Sequence, residues 1–327
     1  MKNFRWGILG TGGIAREFVE DLHVADGHSV SAVGSRSFEK ANDFIATISG
    51  ATAHGNYSDL VNDANVDAIY IATPHPMHAE HAVLALNAGK PVLCEKPIAI
   101  SAHQAQVMVN TARANNVALL EAMWTRYLPH IAQVRNILAS GILGPIQSVE
   151  ADHGQRLADQ NIARLIDPTL GGGALLDLGI YPVSFAHLVL GTPSSIIASS
   201  IMTERGVDAQ TSAIFNYASG AQAIITTTMI AQTPCRAVIS GLLGRLEIDR
   251  TFYTPTSMRV ILFDGTVIEY PLDYVGHGLR EQAIEMARVV RAGALESPLM
   301  PWSEMIAVMK TMDAIRNQIG LVYPFEN

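Results

Sequence analysis

The chain has 327 residues, of which 49% are hydrophobic and 16% charged, and its mean hydropathy is +0.21. This length fits about two domains of roughly 150 residues each, and the composition is that of a globular protein and excludes a disordered one. The 22 basic residues are outnumbered by 30 acidic ones, which gives a net charge of −8. Because the sequence also has no run rich in lysine or arginine, we expect no nucleic-acid partner.

The N-terminus and the cysteines bear on the cellular compartment. Met1–Arg5 leads directly into a strand-like run, without the apolar stretch of a secretory signal. No apolar run approaches the roughly 18 to 20 residues of a transmembrane helix, so no membrane partner is expected. Cys94 and Cys235 are the only cysteines and suit a reducing compartment. The sequence therefore predicts a cytoplasmic protein.

The chain up to Glu121 alternates short apolar runs with helical patterns. The predicted strands are Trp6–Leu9, Ser29–Val33, Ala68–Ala72, Val92–Cys94 and Ala118–Leu120. Helices are predicted around Ile14–Leu22, over Met77–Ala88 and over Ala102–Asn115. This alternation is typical of a doubly wound parallel sheet with helices on both faces.

After about Met123 the pattern changes to strands that follow one another with short turns. The predicted strands are Ile146–His153, Ile196–Met202, Ser212–Tyr217, Ala221–Thr228, Ala237–Ser240, Leu246–Asp249, Arg259–Phe263 and Thr266–Tyr270. Helices are predicted at Ala174–Leu190, Leu279–Arg291 and Trp302–Asn317. The predicted organisation is a dinucleotide-binding domain over residues 1–122, followed over residues 123–327 by an α+β domain built on a large, mostly antiparallel sheet.

A glycine-rich loop follows the first strand. Its residues fit the pattern G-x-G-x-x-A and are Gly10, Thr11, Gly12, Gly13, Ile14 and Ala15. Gly10 allows the tight turn, Gly12 lets the main chain approach a pyrophosphate, and Ala15 permits close helix packing. The alternative is an ordinary strand-to-helix turn. The position between a strand and a helix favours a dinucleotide-binding Rossmann fold.

The end of the second strand bears on the choice of cofactor. An acidic residue here would bind the ribose of NAD, but the chain has Ser35, Arg36 and Ser37. A guanidinium and two hydroxyls can receive the 2′-phosphate of NADP. The alternative is that Arg36 is a solvated loop cation. We predict NADP as the cofactor, in preference to NAD.

The turn at Glu95, Lys96 and Pro97 follows the Val92–Cys94 strand. Ligands of open α/β sheets bind at this edge. An ammonium beside a cationic nicotinamide ring would have a lowered pKa and could share a proton at the reacting oxygen. Lys96 is therefore a catalytic candidate, and the alternative is a surface turn.

Several motifs together resemble the glucose-fructose oxidoreductase and inositol dehydrogenase family. They are the glycine loop, Ala72–Pro74, Ala88–Val92, Glu95–Pro97 and the run Gly171–Tyr181, in the order and spacing of that family. Within it, Glu121–Tyr127 and the final Tyr181 are most similar to the branch of dimeric dihydrodiol dehydrogenase and NADP-dependent D-xylose dehydrogenase. The resemblance covers essentially the whole chain and implies an oxidoreductase that is a homodimer.

Asp177 and Tyr181 are four residues apart, so on a helix they share one face. A phenol donates and accepts protons with a pKa near 10, which a nearby ammonium lowers. We predict Tyr181 as the general acid/base, Lys96 as the group that tunes it, and Asp177 as an orienting or substrate-binding carboxylate. The alternatives are helix capping for Asp177 and a half-buried core position for Tyr181.

Weaker candidates lie at another strand end and just past the domain boundary. We expect cofactor contacts from Thr73, Pro74, His75 and His78, and also from Glu95. Trp124 is a candidate apolar wall and Arg126 a candidate hydroxyl-binding group, with core packing and a surface ion pair as alternatives. No His, Asp or Glu grouping has metal-ligand spacing, so we expect no metal.

The predicted function is hydride transfer between the nicotinamide of NADP and a hydroxyl-bearing carbon of a small polyhydroxylated substrate, a sugar or a diol. Two alternatives stay open. One is a regulator of the same fold that senses NADP without turnover, and the other is a glycosidase that uses bound NAD transiently. Retention of Lys96, Asp177 and Tyr181 argues against the regulator, and Arg36 argues against the NAD-using glycosidase.

Overall fold

The computed structural model describes residues 3–157 and 162–326. The described chain forms two compact units. The first contains the residues through Trp124 and the segment Gly276–Ile306, and the second contains Thr125–Val275 and the residues from Ala307 onward. The predicted division at residue 122 thus differs from these units in one respect, because the segment Gly276–Ile306 packs with the first unit.

The first unit contains a six-stranded sheet. Its strands are β1 (Phe4–Leu9), β2 (His28–Gly34), β3 (Thr52–His54), β4 (Ala68–Ile71), β5 (Val92–Glu95) and β6 (Leu119–Ala122). Their spatial order is β3-β2-β1-β4-β5-β6, and every neighbouring pair is parallel. This is the strand order of a doubly wound dinucleotide-binding sheet, which confirms the predicted fold class of this half.

Five helices connect these strands. They are α1 (Gly13–Leu22), α2 (Phe38–Ile45), α3 (Tyr57–Val61), α4 (His78–Asn87) and α5 (Ala102–Asn115). The core between α1 and the sheet is aromatic, since the Phe18 ring stacks on Tyr70 with centroids 3.8 Å apart and meets the edge of Trp6 at 5.5 Å. These contacts pack the middle of α1 against β1 and β4.

The second unit is built on an eight-stranded sheet. Its strands are β7 (Ile146–Gly154), β8 (Ser195–Met202), β9 (Asp208–Asn216), β10 (Gln222–Thr228), β11 (Ala237–Gly241), β12 (Gly244–Ile248), β13 (Met258–Leu262) and β14 (Val267–Tyr270). Their order is β14-β13-β12-β11-β7-β10-β9-β8. The β7–β10 pair is parallel and the other pairs are antiparallel. The prediction of a mostly antiparallel sheet is confirmed.

The remaining helices are α6 (Pro129–Ser140), α7 (Ala163–Ile166), α8 (Ile180–Leu190), α9 (Arg280–Arg291) and α10 (Trp302–Ile319). A π-helical turn at Leu175–Gly179 leads directly into α8. Contrary to the expectation from sequence, the stretch Pro168–Leu190 has the length and the mean hydropathy, 1.5, of a membrane span. It is 83% buried inside the fold, which is the property of a core helix.

The segment that returns to the first unit begins at a buried carboxylate. Asp21 of α1 accepts hydrogen bonds from the main-chain nitrogens of His277, Gly278 and Arg280, at 2.8 to 3.0 Å. The Arg280 guanidinium adds a bond of 3.1 Å. Since no side chain of its own segment caps α9, Asp21 supplies that cap from a distant part of the sequence.

Candidate active site

The glycine loop has the geometry of a phosphate cradle. Gly10 has φ +106°, and a β carbon there would lie 2.9 Å from the carbonyl oxygen of Ala72, so only glycine fits. Helix α1 begins at Gly13, and the Gly12 position that precedes it has no side-chain cap. The first-turn N–H groups of α1 are therefore available to an anion. Thr11 and Ile14 lie beside these glycines, and Ala15 is fully buried, as the motif predicts.

The end of β2 combines one exposed cation with two serines in different roles. Arg36 is exposed, whereas Ser35 is buried and its N–H donates to the His54 carbonyl at 3.1 Å. Ser37 caps α2, since its hydroxyl oxygen accepts from the Lys40 N–H at 3.4 Å. Burial lowers the pKa of His81, and the Arg36 charge lowers it further. The glycine loop and Arg36 together fit NADP, with its pyrophosphate on α1 and its 2′-phosphate on Arg36.

One of the residues after β4, His78, has both ring nitrogens on main-chain carbonyls. His78 is fully buried, with Nε2 2.7 Å from the Thr73 carbonyl oxygen and Nδ1 2.9 Å from the Pro97 carbonyl oxygen. Burial lowers the pKa of His78 to about 4, although these hydrogen bonds oppose the shift. His78 was expected to contact the cofactor, but it instead ties the end of β4 to the turn that contains Lys96.

The neighbours of His78 are less buried. Pro74 is exposed, and His75 is half-buried with its ring 5.6 Å from that of His78. The Thr73 hydroxyl lies 3.0 Å from Nδ1 of His81. Cofactor contacts by Thr73, Pro74 and His75 stay predictions.

Two buried carboxylates hold the main chain of the Lys96 turn. Glu95, the last residue of β5, accepts a 2.5 Å bond from the Tyr70 hydroxyl and a 3.2 Å bond from the Lys96 N–H. Glu121 accepts from the N–H of Ile98 at 2.8 Å. Burial raises the pKa of Tyr70, and the Glu95 charge raises it further. Glu95, predicted to contact the cofactor, thus positions Lys96.

In the second unit, Asp177 lies in the π-helical turn and Tyr181 in the first turn of α8. Both are buried, with Tyr181 7% exposed. A π turn is wider than an α-helical turn, so Asp177 and Tyr181 do not share a face of a regular α-helix as the four-residue spacing predicted. Turns of this kind are frequent at functional sites. Asp177 forms an ion pair with Arg164, whose Nη1 lies 3.0 Å from Oδ1 and whose side chain is 51% exposed.

The start of this turn is held by another buried carboxylate. Oδ2 of Asp208 accepts from the Leu175 N–H at 2.8 Å and from the Thr211 hydroxyl at 2.7 Å. Gly173 has φ +116°, and a β carbon there would overlap Oδ1 of Asp208. Burial raises the pKa of Asp208 to about 6, against the effect of the two hydrogen bonds. Gly173 thus makes room for a cap that comes from β9.

Two rings and one amide that sequence reasoning missed lie around Tyr181. The His153 ring is 5.1 Å from the Tyr181 ring, and the Tyr253 ring is 4.9 Å from it. His153 and Tyr253 stack at 4.0 Å with an interplanar angle of 22°. The side-chain nitrogen of Gln155 lies within hydrogen-bond distance of Nε2 of His153 and of the Tyr253 hydroxyl. No local motif marks these residues, because β7 and the segment after β12 bring them together only in the folded chain.

Arg126 and Trp124 are buried. Arg126 is 1% exposed, and its Nε and Nη2 donate to the hydroxyl and carbonyl of Ser184 at 2.9 and 2.8 Å. Burial lowers the pKa of His187 to about 4, and the Arg126 charge contributes to that shift. Arg126 therefore anchors α8, and its contact with substrate hydroxyls stays a prediction. Trp124, the predicted apolar wall, meets the His277 ring edge-on at 5.9 Å.

The loop from Gly154 to Leu170 connects β7 to the glycines that precede Asp177. Residues 158–161 of this loop lie outside the described residues. Within the described part, Gln155 and Arg164 lie next to the predicted site residues, through the contacts with His153 and Asp177.

Comparisons with known proteins agree with this geometry. The profile "Oxidoreductase family, NAD-binding Rossmann fold" matches residues 4–123, and "GFO/IDH/MocA C-terminal domain" matches residues 131–247. The chain is 34% identical to trans-1,2-dihydrobenzene-1,2-diol dehydrogenase of Xenopus tropicalis, over 98% of this chain and 99% of that protein. It is 36% identical to D-xylose 1-dehydrogenase (NADP(+)) of Hypocrea jecorina, over 98% and 93% of the two chains.

A solved structure covers nearly the same extent. A 3-ketoreductase from Actinomadura kijaniata, in complex with NADP and TDP-benzene, superposes with a TM-score of 0.86 at 28% identity. The match covers 97% of this chain and 98% of that one.

Proposed function

This chain belongs to the GFO/IDH/MocA family of oxidoreductases, and we propose that it transfers hydride between NADP and a hydroxyl-bearing carbon of a sugar or a diol. The predicted family and enzyme class are confirmed. The observation that carries the proposal is the near-full-length similarity to two dehydrogenases, one named for a diol and one for D-xylose and NADP(+). The cradle at Gly10–Gly13 and the cation Arg36 support NADP as the cofactor.

The protein contributes binding, orientation and proton transfer to this chemistry. NADP, when bound, supplies the hydride chemistry. The start of α1 would hold the pyrophosphate and Arg36 the 2′-phosphate. In the oxidation direction, Tyr181 takes the proton of the substrate hydroxyl. The ammonium of Lys96 stabilises the tyrosinate that forms.

The ion pair between Arg164 and Asp177 supports a substrate-orienting role for Asp177. A guanidinium 3.0 Å away favours the ionised carboxylate. An ionised carboxylate accepts hydrogen bonds and does not donate them. In this proposal Asp177 accepts a bond from a substrate hydroxyl next to the one that Tyr181 deprotonates.

The test is a panel of aldoses and vicinal diols, assayed with NADP and with NAD by the absorbance of the reduced nicotinamide. We expect turnover with NADP in preference to NAD. Tight NADP binding without turnover on any substrate would favour the regulator of the same fold. Cleavage of an aryl glycoside with a cofactor retained through purification would favour the glycosidase.

We also propose that the protein is a homodimer joined through the outer face of the second sheet. Ile197, Ile214 and Ile224 are aligned by the strand register across β8, β9 and β10, and Ile197 is 62% exposed. A row of exposed isoleucines on an open sheet fits a second copy of the chain. The variant I197K/I224K should lower the mass measured by light scattering to that of the monomer, whereas an unchanged mass would contradict the proposal.

The proposed compartment is the cytoplasm. Cys94 and Cys235 are both free and buried, which fits a reducing environment. Recovery of the native protein in the soluble cytosolic fraction of its own cells would support this proposal, and recovery in a secreted or membrane fraction would contradict it.

A further inference from the structure

Gln155 follows β7, and its side-chain amide lies within hydrogen-bond distance of polar atoms on both rings that contact Tyr181. The amide nitrogen Nε2 is 2.9 Å from Nε2 of His153 and 3.1 Å from the hydroxyl oxygen of Tyr253. Its main chain is held by the sheet, because the Gln155 N–H donates to the Thr228 carbonyl at 3.0 Å. The amide is therefore a fixed part of the wall around Tyr181.

With the amide nitrogen of Gln155 on both contacts, the two contacts imply where the protons of the rings lie. A side-chain amide nitrogen carries two hydrogens and cannot accept a hydrogen bond. Nε2 of His153 must then accept, which requires a neutral imidazole whose proton is on Nδ1. The Tyr253 oxygen accepts as well, so its own hydroxyl proton is directed away from Gln155.

We propose that Gln155 is a positioning residue of this site, which keeps His153 in its neutral Nδ1–H form and orients the Tyr253 hydroxyl as a donor to a substrate oxygen. The functional part of this inference rests on the proposed role of Tyr181 as the acid/base. The part that concerns His153 rests on the hydrogen-bond geometry alone.

The form of His153 matters because its ring lies against the phenol of Tyr181, with centroids 5.1 Å apart and an interplanar angle of 61°. A protonated imidazole at this distance would favour the tyrosinate and change the affinity of Tyr181 for the substrate proton. A neutral ring leaves that affinity unaltered. Tyr253 is a second titratable group that faces His153, and its ring lies 4.0 Å from that of His153 and 4.9 Å from that of Tyr181.

The decisive measurement is the tautomer of His153 in the full-length protein. Nitrogen-15 NMR of histidine-labelled protein at neutral pH distinguishes Nδ1–H from Nε2–H, and the variant H153N assigns the signal. We expect the Nδ1–H tautomer. The Nε2–H tautomer would overturn the proposal, because it would require the amide of Gln155 to face His153 with its oxygen. This measurement needs no turnover, so its result is independent of the proposed function.

Gln155→Glu provides the matching perturbation. A carboxylate only accepts hydrogen bonds, so we expect the His153 proton to move to Nε2 and the Tyr253 hydroxyl to turn toward position 155. KM for the substrate should rise by about tenfold, the effect of one lost hydrogen bond, with NADP affinity unchanged in a fluorescence titration.

Gln147→Glu is the control, since Gln147 is exposed on β7, the strand that precedes Gln155, and gains the same charge. The control should leave both the tautomer and KM unchanged. A Gln155→Glu variant with the wild-type tautomer would contradict the assignment of His153. A variant with the new tautomer but an unchanged KM would contradict the role of Tyr253 as a substrate donor.

Discussion

The two units present their functional groups in different ways. In the first, the groups are close in sequence: the cradle is four consecutive residues from Gly10 to Gly13, and Lys96 directly follows the Glu95 carboxylate that bonds its N–H. In the second, Tyr181 on α8 is surrounded by His153 at the end of β7 and by Tyr253 from the segment before β13.

The difference between the two units follows from whether main-chain or side-chain atoms contact the ligand. A phosphate cradle uses main-chain N–H groups, so it depends on the backbone conformation of one short segment. The Tyr181 site uses side chains that converge from separate elements, and long-range packing determines which ones meet.

The largest expected effect tests whether one atom of the second unit carries the proton transfer. Tyr181→Phe keeps the ring and its contacts with His153 and Tyr253. We expect kcat to fall by about 10² to 10⁴, the loss typical of a general acid/base, with NADP affinity unchanged. Retention of most of the turnover when chemistry limits the rate would show that Tyr181 only packs.

Lys96→Met tests whether the two units contribute to the same step. Removal of the ammonium should lower kcat by roughly 10², because nothing would then stabilise the tyrosinate. The double variant with Tyr181→Phe should lose little more than Tyr181→Phe alone. Fully additive losses in this cycle would mean that Lys96 and Tyr181 act on separate steps.

Asp208→Asn tests the support of the Tyr181 helix by pH dependence. The native pKa of about 6, above the ordinary 3.8, means that ionisation of the buried carboxylate opposes folding, and the difference corresponds to about 3 kcal/mol. The stabilising effect of the proton is present below the ordinary pKa and is lost as pH rises through 6. Asparagine keeps an acceptor for the Leu175 N–H.

The free energy of unfolding, measured in urea, should therefore be higher for Asp208→Asn than for wild type above pH 6, and the two should converge toward pH 4. Asp273→Asn, at an exposed position, should show no such pH-dependent gap. A lower stability of Asp208→Asn at every pH would show that the charged cap outweighs the cost of burial.

The smallest expected effect tests the role of Arg36 in the choice between NADP and NAD. Arg36→Ala should raise KM for NADP by roughly 10- to 100-fold, the value of a charge-assisted contact. KM for NAD and kcat at saturation should change little. Lys40→Ala removes another exposed cation from the adjacent helix α2 and should have almost no effect. Equal losses with both cofactors would assign Arg36 a structural role.

Sequence patterns predicted the fold well where periodicity and glycine chemistry are local. The parallel sheet, helices α1, α4 and α5 and the position of the glycine loop follow from them. Strand β3, with three residues, and helix α3, with five, were not predicted because elements this short have too few apolar positions to show a period.

For the candidate site, the sequence did not indicate which polar side chains are buried and hydrogen-bonded inside the fold. Arg126 and His78 have side chains that suit ligand binding, and nothing in their sequence surroundings distinguishes such a role from internal support. In the fold, Arg126 donates to Ser184, and the ring nitrogens of His78 lie within hydrogen-bond distance of two main-chain carbonyls. Conversely, His153, Gln155 and Tyr253 belong to no motif, and only the packing of β7 and of the segment after β12 around α8 reveals them.

The carboxylate of Asp21 has a consequence for fragment design. A fragment that ends at residue 122 would keep the cofactor cradle and every strand of the parallel sheet, yet it would leave Asp21 buried without the donors of His277, Gly278 and Arg280. It would also lack Trp302, whose indole N–H donates to the Leu119 carbonyl at 2.9 Å. A stand-alone cofactor-binding module should therefore fuse residues 276–306 to the C-terminus of this fragment. The chain crosses from one unit to the other at three positions, after Trp124, Val275 and Ile306.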